Sequence, residues 1–91
     1  AALAAALSIE SVPHCFYCGP GFVASLHLAA AFAPGAPFEI FFVELQASPY
    51  HGAVRARDGR LTVPDGPGLG LEPDMAVIDR YRLGAPLVIS R

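Results

Sequence analysis

The 91-residue sequence contains no tryptophan. It also contains no lysine, so all six of its strongly basic residues are arginines. Eight acidic residues give a net charge of −2, and the arginines do not form a basic cluster. Proteins that bind nucleic acid usually carry such clusters to neutralise phosphates. The charge pattern therefore argues against a nucleic-acid partner.

The sequence also lacks an uninterrupted hydrophobic run that could span a membrane. Its most apolar stretch, residues 21–45, is broken by Pro34, Gly35 and Pro37 and contains charged side chains. A transmembrane helix needs about 20 consecutive, mostly apolar residues. We therefore predict a buried helix followed by a buried strand, with no membrane partner.

Cysteine is scarce, with Cys15 and Cys18 forming one C-x-x-C pair. A zinc site would need further ligands at close spacing, and His14, His27 and His51 do not supply a familiar pattern. A redox pair is an alternative interpretation. We favour two small buried thiols in a cytoplasmic protein.

Apolar residues, by contrast, are abundant at 54% of the chain, above the roughly 45–50% that soluble domains usually contain. A domain this small buries only about 60–65% of its unfolded surface, so the surplus suggests a missing partner surface. The first seven residues, without methionine or cap, predict a helix that is entered midway. We therefore expect the chain to be a fragment.

The order of elements predicts an α/β fold. Residues 8–13 and the apolar run 38–45 each have the character of a strand, and residues 22–33 between them predict a helix. Strand, helix, strand is the crossover unit of a parallel sheet. Downstream, residues 57–60 predict a tight turn followed by a brief strand at 61–63.

A final helix is predicted at residues 75–81, with Asp74 as its N-cap. The glycine-rich residues 66–70 before it do not match a phosphate-binding loop, because Pro67 removes an amide donor. We interpret them as a shaped turn.

Three stretches together resemble the end of the enolase-superfamily barrel, of the mandelate racemase and muconate lactonizing enzyme type. They are Val12-Pro13-His14, the Ser-Leu-His-Leu-Ala-Ala-Ala of residues 25–31, and the Pro-Asp-Gly-Pro-Gly-Leu-Gly-Leu-Glu of residues 64–72. The resemblance implies the C-terminal end of a modified (β/α) TIM-type barrel. Residues 1–49 would supply a helix end, the seventh strand, a helix and the eighth strand. Residues 50–91 would form a tail that returns toward a missing capping domain.

The resemblance also implies an activity. Enzymes of this kind use Mg²⁺ and abstract a proton α to a carboxylate, with a Lys or His base. It implies a small carboxylate substrate, a homo-oligomer at full length, and Mg²⁺ ligands on strands outside this chain, so no metal site is expected here. A sugar-acid dehydratase is the leading subtype, ahead of a racemase or a cycloisomerase. The isolated chain is expected to be inactive.

His14 falls at the C-terminal end of the seventh strand, where barrel active sites lie, and the resemblance implies a general base there. Imidazole suits this role because its unperturbed pKa lies near neutrality. The resemblance also implies that Glu39 matches an eighth-strand glutamate that helps to stabilise the developing enolate in some relatives. Glu44 is an alternative nearer the strand end. Phe16 and Tyr17 are candidates for the substrate pocket. His27, amid leucine and alanine, is expected to be structural.

Two further functions remain open. A truncated barrel fragment could be a non-catalytic binding or scaffold module that covers its apolar faces by forming oligomers. A C-x-x-C oxidoreductase is the third hypothesis, and it requires a thiol of depressed pKa at Cys15 or Cys18.

Overall fold

The computed structural model describes residues 2–89 and contains three helices within that range: α1 at Ala2–Ala6, α2 at Pro20–Phe32 and α3 at Met75–Tyr81. All three lie where the sequence predicts helix. Residue 1 and residues 90–91, which the sequence analysis assigns to the first helix and the tail, lie outside the described residues.

Helix α2 is the central element. Proline occupies its first turn, where the missing amide hydrogen costs nothing. The helix ends at Phe32, and the N–H of Ala33 closes the last turn on the carbonyl of Ala29 just before Pro34 prevents continuation. Its buried side chains are Phe22, Val23 and Leu26, so the buried face lies in the N-terminal half of the helix.

The predicted strands are not formed. Within residues 2–89 no segment is assigned as a strand, and the only bridge is the isolated pair Arg57 and Arg60. This corrects the prediction of strands at 8–13, 38–45 and 61–63. The physical reason is that a strand exists through backbone hydrogen bonds to neighbours, and two isolated strands make too few of them to be stable in water.

Two of these segments nevertheless lie side by side. We call residues 8–16 the His14 segment and residues 38–45 the Glu39 segment. His14 contacts Glu39, and two residues further along each segment Phe16 contacts Phe41. The order is parallel, as in neighbouring barrel strands, but within the described range no backbone hydrogen bond joins the two segments.

The core is small and includes residues from both predicted parts of the chain. Cys15, Phe22, Val23 and Tyr50 form its buried cluster. Partly buried residues that pack against this cluster are Phe38, Val54, Leu61, Leu69 and Leu71. The tail thus packs on α2, and its described residues, 50–89, form no separate core. Cys15 is buried and Cys18 exposed, both as free thiols, so the prediction of two buried thiols is wrong for Cys18.

Turn chemistry in the tail follows the sequence closely. Arg57 and Arg60 exchange two backbone hydrogen bonds of 2.8 and 2.9 Å, and the central residues Asp58 and Gly59 have φ values of 49° and 71°. Positive φ at both central positions is what a type I′ turn requires. The predicted tight turn is therefore present, although the strand expected after it is not.

The chain exposes an unusually large surface for its mass. Its accessible area is 7336 Å², whereas a compact monomer of 9.5 kDa exposes about 5000 Å². The radius of gyration, 15.3 Å, likewise exceeds the roughly 12 Å of a compact domain of this length. Within residues 2–89 no helix has the length and apolar character needed to cross a membrane.

Candidate functional site

His14 and Glu39 form the centre of the candidate site. The Nδ1 atom of His14 lies 2.8 Å from Oε2 of Glu39, and the same carboxylate oxygen accepts a 2.7 Å hydrogen bond from the backbone N–H of Cys15. The parallel arrangement of the two segments produces this contact, because it places residues 25 positions apart in sequence next to each other. Of the two candidate glutamates, the structure therefore brings Glu39 to His14.

The hydrogen bond to Glu39 determines the imidazole tautomer. A carboxylate only accepts hydrogen bonds, so Nδ1 of His14 must be the donor. In the neutral ring Nε2 then carries the lone pair. Because the His14 side chain is 75% exposed, this lone pair is accessible to another molecule. The arrangement matches that of a general base whose second nitrogen is oriented by a carboxylate.

Aromatic residues lie on one side of the pair, next to His14. The ring of Phe16 stacks on His14 at 5.9 Å between centroids, with an interplanar angle of 7°. Phe16 also packs edge-on against Phe41 at 4.3 Å. Phe41 was not predicted as part of the site, although a signal was present, since alternate residues of an extended segment share one face and Phe41 lies two positions after Glu39.

Tyr17 and Glu44 lie further along the two segments. Both line a cleft of about 480 Å³ that continues beyond the His14 and Glu39 pair. Glu44 takes part in none of the hydrogen bonds or ion pairs found between side chains of residues 2–89. The structure thus places Phe16 against His14, and Tyr17 and Glu44 in the neighbouring cleft.

A second histidine and carboxylate pair lies in the tail and was not predicted. Nε2 of His51 lies 2.8 Å from Oδ2 of Asp74, and the other carboxylate oxygen of Asp74 caps α3 through the N–H groups of Ala76 and Val77. The hydrogen bonds from Val77 and Ala76, followed by the His51 contact, hold the pKa of Asp74 below its usual value. This pair fixes the start of α3 to the loop at residue 51.

His27 has the structural position that the sequence suggests. Its Nε2 donates a hydrogen bond of 3.0 Å to the carbonyl of Leu69, in the glycine-rich turn. The partner is a backbone carbonyl 42 positions away in the sequence. His27 therefore fastens the tail to α2 and lies outside the candidate site.

The described residues do not fit a magnesium site. Between residues 2 and 89 no three His, Cys, Asp or Glu side chains come close enough together to bind a metal ion. The carboxylate nearest to the candidate base, Glu39, already accepts hydrogen bonds from His14 and Cys15 on one oxygen. No step of the chemistry assigned to this chain involves a metal.

Comparison with known proteins identifies the family. The family described as Enolase C-terminal domain-like matches residues 1–77, a range that includes His14, Glu39 and the glycine-rich turn. No curated protein matches the chain, and neither does any solved structure. Since the family match covers most of the sequence, the chain belongs to the enolase superfamily, in the Enolase C-terminal domain-like family.

Proposed function

We propose that this chain supplies the catalytic histidine of an enolase-superfamily enzyme of the mandelate racemase and muconate lactonizing enzyme type. Its reaction begins with removal of the proton on the carbon α to the carboxylate of a small acid. The contact between Nδ1 of His14 and Oε2 of Glu39 is the observation that supports this proposal most directly. It leaves Nε2 of an exposed imidazole as the proton acceptor.

The electron balance of this step is simple. Nε2 of His14 takes the proton, and the electrons of the C–H bond pass into the enolate of the substrate. The imidazole becomes positively charged, and the Glu39 carboxylate 2.8 Å from Nδ1 compensates that charge through a charge-assisted hydrogen bond. Glu39 therefore acts by orienting the base and by stabilising its protonated form, a role that replaces the enolate contact implied by the resemblance.

After the proton is removed, the reaction has one of three outcomes. Return of the proton gives racemisation, loss of a β-hydroxyl as water gives dehydration, and closure of a ring gives cycloisomerisation. Dehydration of a sugar acid is our leading choice. We further propose that the enzyme is Mg²⁺-dependent, with metal ligands on parts of the protein outside these residues, and that it is a cytoplasmic homo-oligomer.

Deuterium exchange tests the proposed base. The full-length protein that the gene encodes is incubated in D₂O with Mg²⁺ and a panel of small α-hydroxy and sugar acids, and NMR follows exchange as deuterium at the α carbon of the acid or at the β carbon of a dehydrated product. We expect exchange by the wild type and a loss of about 10²–10⁴-fold in His14→Gln.

The matched control is His27→Gln. An amide can still donate to the carbonyl of Leu69, and the residue lies outside the site, so exchange should stay near the wild-type rate. Undiminished exchange in His14→Gln would remove His14 from the mechanism. A wild type that exchanges no acid of the panel would count against the proposed reaction.

A second candidate function is a non-catalytic module that assembles into oligomers. The exposed area of 7336 Å² favours it, because the excess of about 2300 Å² over a compact monomer is on the scale that one subunit buries in an obligate interface. The coding DNA upstream of residue 1 decides between the two functions. The enzyme is supported by an open frame of roughly 250–300 further codons, enough for most of a barrel and a cap, that encodes three spaced acidic residues on predicted strands. A start codon directly before residue 1 supports the module.

A further inference from the structure

The cleft that begins beyond His14 and Glu39 has a mixed lining. It has a volume of about 480 Å³, within the range of small-molecule sites. Its apolar wall comes from the end of the Glu39 segment, including Phe41 and Phe42. Its polar groups come from Tyr17, Cys18 and Glu44 and from the loop at residues 48–56. We call it the Arg55 cleft.

The Arg55 cleft adjoins the candidate base. Phe41 lines the cleft and also packs against Phe16, the residue that stacks on His14. Tyr17, which follows Phe16 in the sequence, also lines the cleft. A molecule with its reacting carbon at His14 can therefore extend past these rings into the cleft.

Arg55 is the arginine of this lining. It takes part in none of the three ion pairs found in residues 2–89. A guanidinium group presents a fork of N–H donors that matches a carboxylate. The other ionisable groups of the lining are Tyr17, Cys18, Glu44 and His51, and His51 is already bonded to Asp74.

We infer that the Arg55 cleft binds an apolar part of the substrate that ends in an anionic group, with Arg55 as the partner of the anion. The aromatic wall contacts the apolar part, and the negative charge of Glu44 in the same lining disfavours an anion of higher charge. The inference depends on the proposed function only for the identity of the bound molecule as a substrate. A substrate with an apolar part is not a sugar acid, so this inference places racemisation or cycloisomerisation ahead of sugar-acid dehydration. It makes Arg55 a residue that selects the substrate and leaves the proton transfer to His14.

Binding of 3-phenylpropionate tests the inference directly. The acid is titrated into the full-length protein, and the dissociation constant is measured by calorimetry or NMR. Its neutral analogue 3-phenylpropanamide and the hydroxylated acid gluconate are measured in parallel. We expect 3-phenylpropionate to bind most tightly, and Arg55→Gln to weaken it by about tenfold or more, because a hydrogen bond between charged groups is lost.

Arg57→Gln is the matched control, since it makes the same chemical change two residues away and Arg57 does not line the cleft. It should leave the affinity unchanged, whereas Arg55→Lys should restore part of what Arg55→Gln loses. The NMR spectrum of each variant verifies that it is folded. Equal affinity of the wild type and Arg55→Gln, or equal affinity for the acid and the amide, would overturn the role of Arg55. Tighter binding of gluconate than of 3-phenylpropionate would overturn the inference that the cleft binds an apolar part of the substrate.

Binding and catalysis can fail separately. His14→Gln should still bind 3-phenylpropionate, because His14 does not line the cleft. Binding without any α-proton exchange would leave the Arg55 cleft in place and reject the proposed function. If Arg55→Gln changed neither the rate nor the KM of exchange, the proposed function would stand and the role of Arg55 would be rejected.

Discussion

At the scale of single residues, Glu39 distinguishes this site from an isolated surface histidine. Its carboxylate holds both Nδ1 of His14 and the N–H of Cys15. Glu39→Gln removes the charge and leaves one carbonyl oxygen as acceptor, so we expect α-proton exchange to fall about 10–100-fold, the value of a hydrogen bond between charged groups. The exchange rate in D₂O measures it.

Glu72→Gln is the control for this change, because it removes a carboxylate in an exposed part of the tail. Its exchange rate should equal that of the wild type. If Glu44→Gln reduced exchange more than Glu39→Gln does, Glu44 would have to replace Glu39 beside the base.

The individual residues of the site were only partly predictable. His14 and Glu39 are candidates from the resemblance, and the strand, helix, strand order predicts that their segments run in parallel. The contact also depends on which residues of the two segments face each other, which no local pattern specifies. The exposure of Cys18 was missed for the same reason, since burial depends on how the loop after His14 meets the rest of the chain. Asp74 was identified correctly as a cap because the capping interaction spans only a few residues.

At the scale of elements, the glycine-rich turn depends on Gly70. Its φ is +78°, and a Cβ added there would lie 2.6 Å from Cβ of Pro64. Gly70→Ala should therefore open the turn and accelerate exchange of the amide hydrogen of residue 70, which is bonded to the carbonyl of Pro67. We expect an increase of about 10–100-fold for strain of roughly 1–3 kcal/mol.

Gly68→Ala separates the steric contact from backbone strain. Gly68 also has a positive φ, +66°, but a Cβ there meets nothing within 4 Å. Its effect on the same amide should be clearly smaller. Equal acceleration in the two variants would show that the contact with Pro64 is unimportant.

The start of α3 should respond to acid. The pKa of Asp74 is lowered in the fold, mainly by the N–H groups of Val77 and Ala76. Asp74 therefore stabilises the folded state while its carboxyl group is ionised. This contribution is complete above the ordinary value of 3.8 and is lost as pH falls through the lowered folded value. We expect α3 to lose helicity in that acidic range, measured from the Cα chemical shifts of residues 75–81.

Asp74→Asn provides the control, since its amide oxygen still caps the helix but does not ionise. Its α3 should show a much flatter response across the same acidic range. An identical acid response in the two proteins would assign the transition to other carboxylates.

Helices and strands differed in how well the sequence predicted them. The ranges of α2 and α3 follow from proline, capping and turn residues within a few positions of each end. The strand pattern of residues 38–45 is equally clear, but a strand also needs neighbours, and these residues meet theirs only through side chains such as Phe41. Local chemistry is therefore enough for the helices of this chain and insufficient for its strands.

At the scale of the whole molecule, the excess surface predicts the behaviour of the 91-residue chain in isolation. Its exposed large apolar side chains include Phe42, Leu83, Leu87, Val88 and Ile89. We expect the isolated chain to associate or to bind a hydrophobic dye, measured by sedimentation and dye fluorescence. A monomer with a single cooperative thermal transition would contradict this expectation.

The hydrogen bond from His27 to the carbonyl of Leu69 also has a consequence for synthesis on the ribosome. The two residues are 42 positions apart, and translation adds roughly 5–20 residues per second. Helix α2 is therefore made about 2–8 s before its partner in the tail exists. During every round of synthesis the side of α2 that later packs against the tail lacks that partner for several seconds, so the core between α2 and the tail is completed only late in synthesis.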